Sequence, residues 1–138
     1  MKKLLLFIFT ALLFVSCISK NPEKKNLNKH TPNPNLISFK LNYDVTKEEL
    51  AKITSLRSSA FNTATDTIQY RENEIYISYV GGLVGCVEYA GDFEIKNDSL
   101  LLKLVHLNNE ACTEIETVRV TYRIKNPDNI PYKIGKKW

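Results

Sequence analysis

The sequence predicts an α+β fold of mostly antiparallel β-strands, a small single-domain sheet or open barrel with one helix near its start and one disulfide. Three observations support this class. Apolar and polar residues alternate along residues 118–125, Asn97-Asp98 separates two apolar stretches, and a capping-box motif begins at Thr46. A period of two indicates half-buried strands, and one helix packed on such strands defines an α+β domain.

The chain begins with a charged and then an apolar segment. Lys2 and Lys3 precede residues 4–15, which are almost all apolar. As a helix this stretch would span about 18 Å, less than the roughly 30 Å of a hydrocarbon core. A charged start followed by a short apolar run is typical of a secretory signal, so we expect residues 1–16 to be a signal peptide.

Ser16 and Cys17 end this segment and resemble the lipobox of bacterial lipoproteins. The resemblance implies cleavage between Ser16 and Cys17, diacylglycerol on the Cys17 sulfur, and an acyl chain such as palmitate on its new amino group. Two or more acyl chains hold a protein stably on a membrane. We therefore expect a lipoprotein of the bacterial cell envelope, anchored to a membrane, with the outer membrane favoured and the domain outside the cytoplasm. An ordinary signal peptide that happens to contain a cysteine is the alternative.

Residues 17–35 follow as the lipidated cysteine and a polar stretch. Residues 18–35 contain three prolines, five asparagines and four lysines, so we expect a disordered tether. The remaining residues 36–138 form the predicted single globular domain, and they carry 13 Lys and Arg against 14 Asp and Glu, a net charge of −1. The basic excess of the chain thus lies outside the domain, and it does not indicate nucleic-acid binding.

The domain elements follow in order. A helix is expected because Thr46 as N-cap and Glu49 three residues later form a capping box. Val45 and Leu50 occupy the positions of a hydrophobic staple. Ile53 and Ala60 continue the apolar face of this helix. Five strand signals come next, in "TIQYR", "NEIYISYV", the two arms of a hairpin around Asn97-Asp98, and residues 118–125, with "YKIG" as a further edge strand.

Cys86 and Cys112 are the cysteines left for the domain. Outside the cytoplasm a disulfide is the default expectation for such a pair. A loop of about 26 residues closed in this way would stabilise the fold by roughly 3.5 kcal/mol in the chain-entropy model. Reduced or redox-active thiols are the alternative, although catalytic dithiols usually lie two residues apart.

Glycines cluster before and after Cys86. Gly81, Gly82 and Gly85 allow positive φ, so we expect a tight turn or bulge leading into the cysteine. Gly91 is expected to let another backbone or an aromatic ring approach closely. The motifs G-x-G-x-x-G and G-x-x-x-x-G-K-[ST] are absent, so the sequence does not indicate a nucleotide-phosphate loop.

The segment around Cys86 follows a recognisable pattern, which consists of Gly85-Cys86, Tyr89, Gly91, Asn97-Asp98, Leu100, Leu102 and Cys112. Over about 30 of the 138 residues these positions resemble the META-like domains of bacterial envelope lipoproteins. The segment is also similar to short lipoproteins of Bacteroidetes-type bacteria. The resemblance implies a small β-rich envelope domain, and neither group supplies a catalytic residue.

Candidate chemistry is sparse, and we predict no catalytic residue, no metal site and no cofactor. His30 falls in the tether and His106 on the Leu100/Leu102/Leu104 face, too few histidines for a zinc site. Two sets of carboxylate residues are candidates for chemistry, the first for acid–base catalysis on a glycan and the second for binding Ca²⁺. They are Glu88, Asp92 and Glu94, expected on the outer face of a strand, and Glu110, Glu114 and Glu116 around Cys112.

These features predict a non-catalytic, lipid-anchored envelope protein that binds or supports something at the membrane surface. The expected partners are the membrane itself and an envelope protein or glycan, without nucleic acid. The alternatives are an inhibitor or binding lipoprotein acting on an envelope enzyme such as lysozyme, and a carboxylate-based glycan hydrolase.

Overall fold

The computed structural model describes residues 28–52 and 66–137. Within these ranges the chain forms seven β-strands and one short helix. In chain order they are β1 (Leu36–Asn42), α1 (Lys47–Lys52), β2 (Thr67–Arg71), β3 (Glu74–Val84), β4 (Tyr89–Lys96), β5 (Ser99–His106), β6 (Ile115–Lys125) and β7 (Lys133–Lys137).

The strands form two open sheets. The first has the order β1-β6-β3-β2 and is antiparallel throughout. The second has the order β4-β5-β7, in which β4 and β5 are antiparallel while β5 and β7 are parallel. The predicted fold class is therefore confirmed: the chain is mostly antiparallel β with one short helix and one disulfide, and its sheets do not close into a barrel.

The core lies between the two sheets. On β6 the apolar positions of the predicted alternation all face inward, and they are at most 1% exposed. Leu100 and Leu102 of β5 cover them from the second sheet, and the Tyr122 hydroxyl donates a hydrogen bond of 2.6 Å to the Lys103 carbonyl. The buried core residues are Ile75, Ile77, Tyr79 and Leu83 of β3, Phe93 of β4, Leu100 and Leu102 of β5, and Val118, Val120, Tyr122 and Ile124 of β6.

Two hairpins form, β2–β3 and β4–β5, and asparagine makes each turn possible. Asn73 connects β2 to β3 with a φ of 61°, and Asn97 connects β4 to β5 with a φ of 54°. Asparagine tolerates this left-handed conformation better than most residues do. Lys96 and Ser99 pair directly across the second turn, so the register of the hairpin is set by Asn97-Asp98 as predicted.

The helix begins as its capping box predicts. The Glu49 amide donates to Thr46 Oγ1 at 3.2 Å, and the Thr46 amide donates to Glu49 Oε2 at 3.0 Å. These bonds satisfy two backbone donors that a helix start leaves without partners. Leu50, expected in a hydrophobic staple, is 49% exposed, and the predicted continuation through Ile53 and Ala60 lies outside the described residues.

The glycine prediction needs correction at two positions. Gly81 and Gly82 lie inside β3, where they pair with Val118 and Thr117 of β6, and among the described residues no glycine has a positive φ. Strand β3 is thus longer than its sequence pattern suggested, because β6 offers pairing partners along its whole length. The chain turns only at Gly85, whose amide donates to the Glu114 carbonyl at 3.0 Å.

The sheets meet edge to edge along two seams. At the β1/β4 seam, Phe39 lies over Gly91. At the β2/β7 seam, the Tyr70 hydroxyl donates to the Tyr132 carbonyl and Lys136 Nζ lies 3.5 Å from Asp66 Oδ2. This ion pair is buried, with side chains 6% and 3% exposed, and the ammonium also lies 4.6 Å from the centre of the Tyr79 ring.

Candidate functional site

An open groove runs along the β1/β4 seam. It consists of two depressions of about 550 and 380 Å³ that share Tyr89 and Leu107. The first is lined by residues 28–30, 36–39 and 89–91, together with Pro32, and its surface is mainly apolar. The second continues past Leu41, Tyr43, residues 85–88 and Glu110. From the first depression to the second, the residue numbers rise on the β1 side and fall on the β4 side. The two strands are therefore antiparallel on either side of the groove.

The strands flanking this groove each have an unpaired edge. Among the described residues, β1 is hydrogen-bonded only to β6, and β4 only to β5. Their facing edges therefore present backbone amides and carbonyls that belong to no ladder, which is the usual template for pairing with another extended segment. The groove thus combines free strand edges with an apolar floor.

Phe39 and Gly91 bring the two edges closest together. A Cβ atom built on Gly91 would lie 2.2 Å from Phe39 Cδ2, so only glycine leaves room for this ring. The ring also packs edge-on against Tyr122, with centroids 5.1 Å apart. The close approach that the sequence predicted at Gly91 is confirmed, and its partner is an aromatic ring from a strand that the sequence analysis missed.

Residues 28–33 form one wall of the groove. The Asn28 amide donates to the Leu107 carbonyl at 2.6 Å, and the Asn33 amide donates to Asp92 Oδ1 at 3.0 Å. The sequence predicts a disordered tether over residues 18–35. Residues 18–27 lie outside the described residues, and residues 28–33 make these specific contacts with the domain. These contacts are made by backbone amides, which an analysis of apolar composition does not detect.

The sequence predicts that Asp92 and Glu94 face solvent on the outer face of a strand. In the structure both carboxylates instead make hydrogen bonds or ion pairs with neighbouring residues. Asp92 Oδ1 also accepts from the Phe93 amide at 2.8 Å, and its Oδ2 lies 3.5 Å from His30 Nε2.

Glu94 binds Lys103 at 2.5 Å and Lys137 at 3.3 Å. The Lys103 contact is the main reason that the pKa of Glu94 falls to about 2. Glu94 therefore stays ionised at neutral pH and does not suit the role of a general acid.

The disulfide closes one end of the groove. Cys86 and Cys112 are joined, with Cα atoms 6.2 Å apart, as the sequence predicted. Beside them the buried Asn108 accepts from the Glu88 amide at 3.0 Å and donates to the Cys86 carbonyl at 3.2 Å. The Asn108 bonds fix the start of an exposed loop, residues 109–114, and the disulfide ties this loop to Cys86 through Cys112. The loop contains Glu110 and Glu114.

The remaining candidates are dispersed. His106 is exposed and touches the Tyr89 ring edge-on at 5.1 Å. Among residues 28–52 and 66–137, no three His, Cys, Asp or Glu side chains are placed to hold a metal ion. Within the same residues no helix has the length and apolar character needed to cross a membrane. Ser16 and Cys17 lie outside the described residues, so lipid attachment stays a prediction.

Comparison with known proteins adds no relative. No family model matches the chain, and it matches neither a curated protein nor a solved structure. The likeness to META-like and Bacteroidetes-type lipoproteins therefore stays a prediction as well.

Proposed function

We propose that this chain is a lipid-anchored protein of the bacterial cell envelope whose domain binds, without catalysis, an extended segment of an envelope protein in the β1/β4 groove. The observation that carries the proposal is the pair of unpaired strand edges on either side of an apolar groove.

Strand edges bind extended peptides through main-chain hydrogen bonds, while pockets select alternate side chains. Strand β1 has seven residues, which at about 3.3 Å each gives an edge roughly 23 Å long. The two depressions, which meet at Tyr89 and Leu107, would each accept side chains of the bound segment. Lys29 lies at one end of the groove and Glu88 and Glu110 at the other, so a bound segment of opposite charge order is held in one direction.

The anchor is inferred from the start of the chain. The apolar signal ends at Ser16-Cys17, and the net charge of −1 on residues 36–138 gives the domain no general affinity for acidic polymers. The disulfide supports a compartment outside the cytosol, because cytosolic thiols are kept reduced. The mass of the mature N-terminal peptide tests the anchor: it should begin at Cys17 and carry acyl groups. An unmodified terminus would refute the anchor.

Site-specific crosslinking tests the groove. A photoreactive residue at Tyr43, which lines the groove and is 54% exposed, should form adducts in native envelopes. The matched control is Lys40, an exposed residue of the neighbouring strand β1 that does not line the groove. Adducts at Tyr43 that map to one short segment of one partner support the proposal. Equal adducts at both positions, or none at Tyr43, refute it.

A second candidate is an inhibitor of an envelope enzyme such as lysozyme. The observation that favours it is the exposed loop 109–114, which the disulfide ties to the domain at Cys112 and which carries Glu110 and Glu114. A rigid acidic loop suits the cleft of a basic enzyme because complementary charge speeds association. Stoichiometric inhibition that is lost in a Glu110→Lys, Glu114→Lys variant would support this candidate. Turnover of a glycan that is lost in Glu88→Gln would instead support a hydrolase.

A further inference from the structure

The wall of the groove contains a histidine without a hydrogen bond. His30 Nε2 is buried and has no hydrogen-bond partner, the one such side-chain nitrogen or oxygen in the described part of the chain. It lies 3.5 Å from Asp92 Oδ2, and the two side chains are 18% and 20% exposed. A buried polar atom without a partner is costly, and here a carboxylate oxygen lies just beyond hydrogen-bond distance.

A single proton would satisfy both groups. Histidine is the side chain that ordinarily gains a positive charge as the pH falls from 8 to 5. Once charged, Nε2 becomes a donor facing a carboxylate, and such charge-assisted bonds are shorter and stronger than neutral ones. Asp92 is well placed to receive it, because Oδ1 already holds the Asn33 and Phe93 amides while Oδ2 points to His30.

We propose that His30 and Asp92 form a pH-dependent latch that holds residues 28–33 against the second sheet at acidic pH and releases them as the pH rises. This regulates the groove of the proposed function, since residues 28–30 line its first depression. Release would also lengthen the link between anchor and domain by six residues, about 20 Å of extended chain.

The other titratable side chains near this latch are Lys29, Tyr89 and Tyr122, and Tyr122 interacts electrostatically with Asp92. Lys29 precedes His30 on the same segment, and Tyr89 lies across the groove on β4 together with Asp92. The groove residues from β1 and Leu107 carry no titratable side chain. The pH response should therefore depend on His30 and Asp92, because no other lining residue changes charge between pH 5 and 8.

Amide hydrogen exchange on the mature chain in detergent tests the latch without any partner. Asn28 and Asn33 report on it directly, since their amides donate to Leu107 and to Asp92. We expect their protection factors, corrected for intrinsic exchange, to be about tenfold higher at pH 5.5 than at pH 7.5. In His30→Gln and in Asp92→Asn, which keeps the Oδ1 acceptor, this ratio should fall to about one.

His106→Gln is the matched control, because it removes the other histidine, which is exposed and far from Asp92 in the register of β4. Its pH ratio should equal that of the natural chain. Equal protection at both pH values in the natural chain would refute the latch, as would a ratio that survives in His30→Gln. Amides of β3 verify in each variant that the domain is folded. Failure here leaves the crosslinking result intact, so the latch and the groove are judged separately.

Discussion

Replacing Gly91 by alanine should destabilise the domain far more than the size of one methyl group suggests. The new Cβ would lie 2.2 Å from Cδ2 and 2.4 Å from Cγ of Phe39, whereas ordinary contacts of a Cβ begin near 3.4 Å. The ring must therefore move by more than 1 Å, and it cannot do so without leaving the Tyr122 ring on which it packs.

The cost follows from these two effects. Overpacking a tight contact costs about 1–3 kcal/mol, and an aromatic pair contributes about 0.5–1.5 kcal/mol beyond its buried area. We expect Gly91→Ala to lower the free energy of unfolding by about 2–4 kcal/mol, with a drop in Tm of roughly 10–20 °C for a domain of this size. Urea unfolding followed by circular dichroism measures the change, and the m-value should stay constant.

Gly135→Ala is the matched control. Its Cβ would meet only Leu101 Cδ2, at 2.8 Å, and this methyl group ends a flexible side chain that can turn away. We expect a loss below about 1 kcal/mol there. In a double-mutant cycle, Phe39→Leu should recover at least about 1 kcal/mol of the Gly91→Ala loss. Equal effects of the two glycine substitutions, or no coupling to Phe39, would show that this close approach does not determine the packing of the seam.

Three further outcomes are expected. Replacing both disulfide cysteines by serine should cost about 3.5 kcal/mol in the chain-entropy model, measured by urea unfolding against the oxidised protein; a loss below about 1 kcal/mol would contradict it. The pKa of Glu94 is about 2 in the fold, against an ordinary 4.5. The contribution of its ionised carboxylate to the free energy of unfolding is therefore present above pH 4.5 and is lost as the pH falls towards 2. Glu94→Gln should therefore flatten the acid decline of the urea midpoint between these values, and an unchanged slope would refute this. Lys136→Met removes a buried ion pair with Asp66 and should cost about 3–5 kcal/mol. Lys133→Met removes an exposed ion pair with Asp98 and should leave the free energy of unfolding nearly unchanged. Similar unfolding free energies for the two lysine variants would contradict the burial of the first pair.

Local sequence signals predicted the elements whose geometry is local. The capping box at Thr46, the Asn97-Asp98 turn and the alternation along β6 each depend on residues a few positions apart. The disulfide was predictable for a different reason, since two of the three cysteines remained for the domain once Cys17 was assigned to the predicted anchor. The fold class followed from these signals together.

Longer-range features were not predictable in the same way. Strand β1 was missed although Leu36, Phe39 and Leu41 are partly buried, because a register shift near its start breaks the alternation. The docking of residues 28–33 depends on Asp92, about 60 positions away, and composition alone cannot reveal it. The groove also escaped prediction, since it exists only where β1 and β4 come together.

The placement of the disulfide affects how the domain responds to proteolysis. Cys86 and Cys112 bracket the whole β4–β5 hairpin, so these strands belong to a covalent ring whose outermost point is the exposed Asn97-Asp98 turn. A cut at that turn opens the ring but frees no fragment, because both new ends remain tied through sulfur and through the strand ladders. The domain should therefore keep its shape after such a nick, and the same turn is a suitable place to insert a foreign peptide.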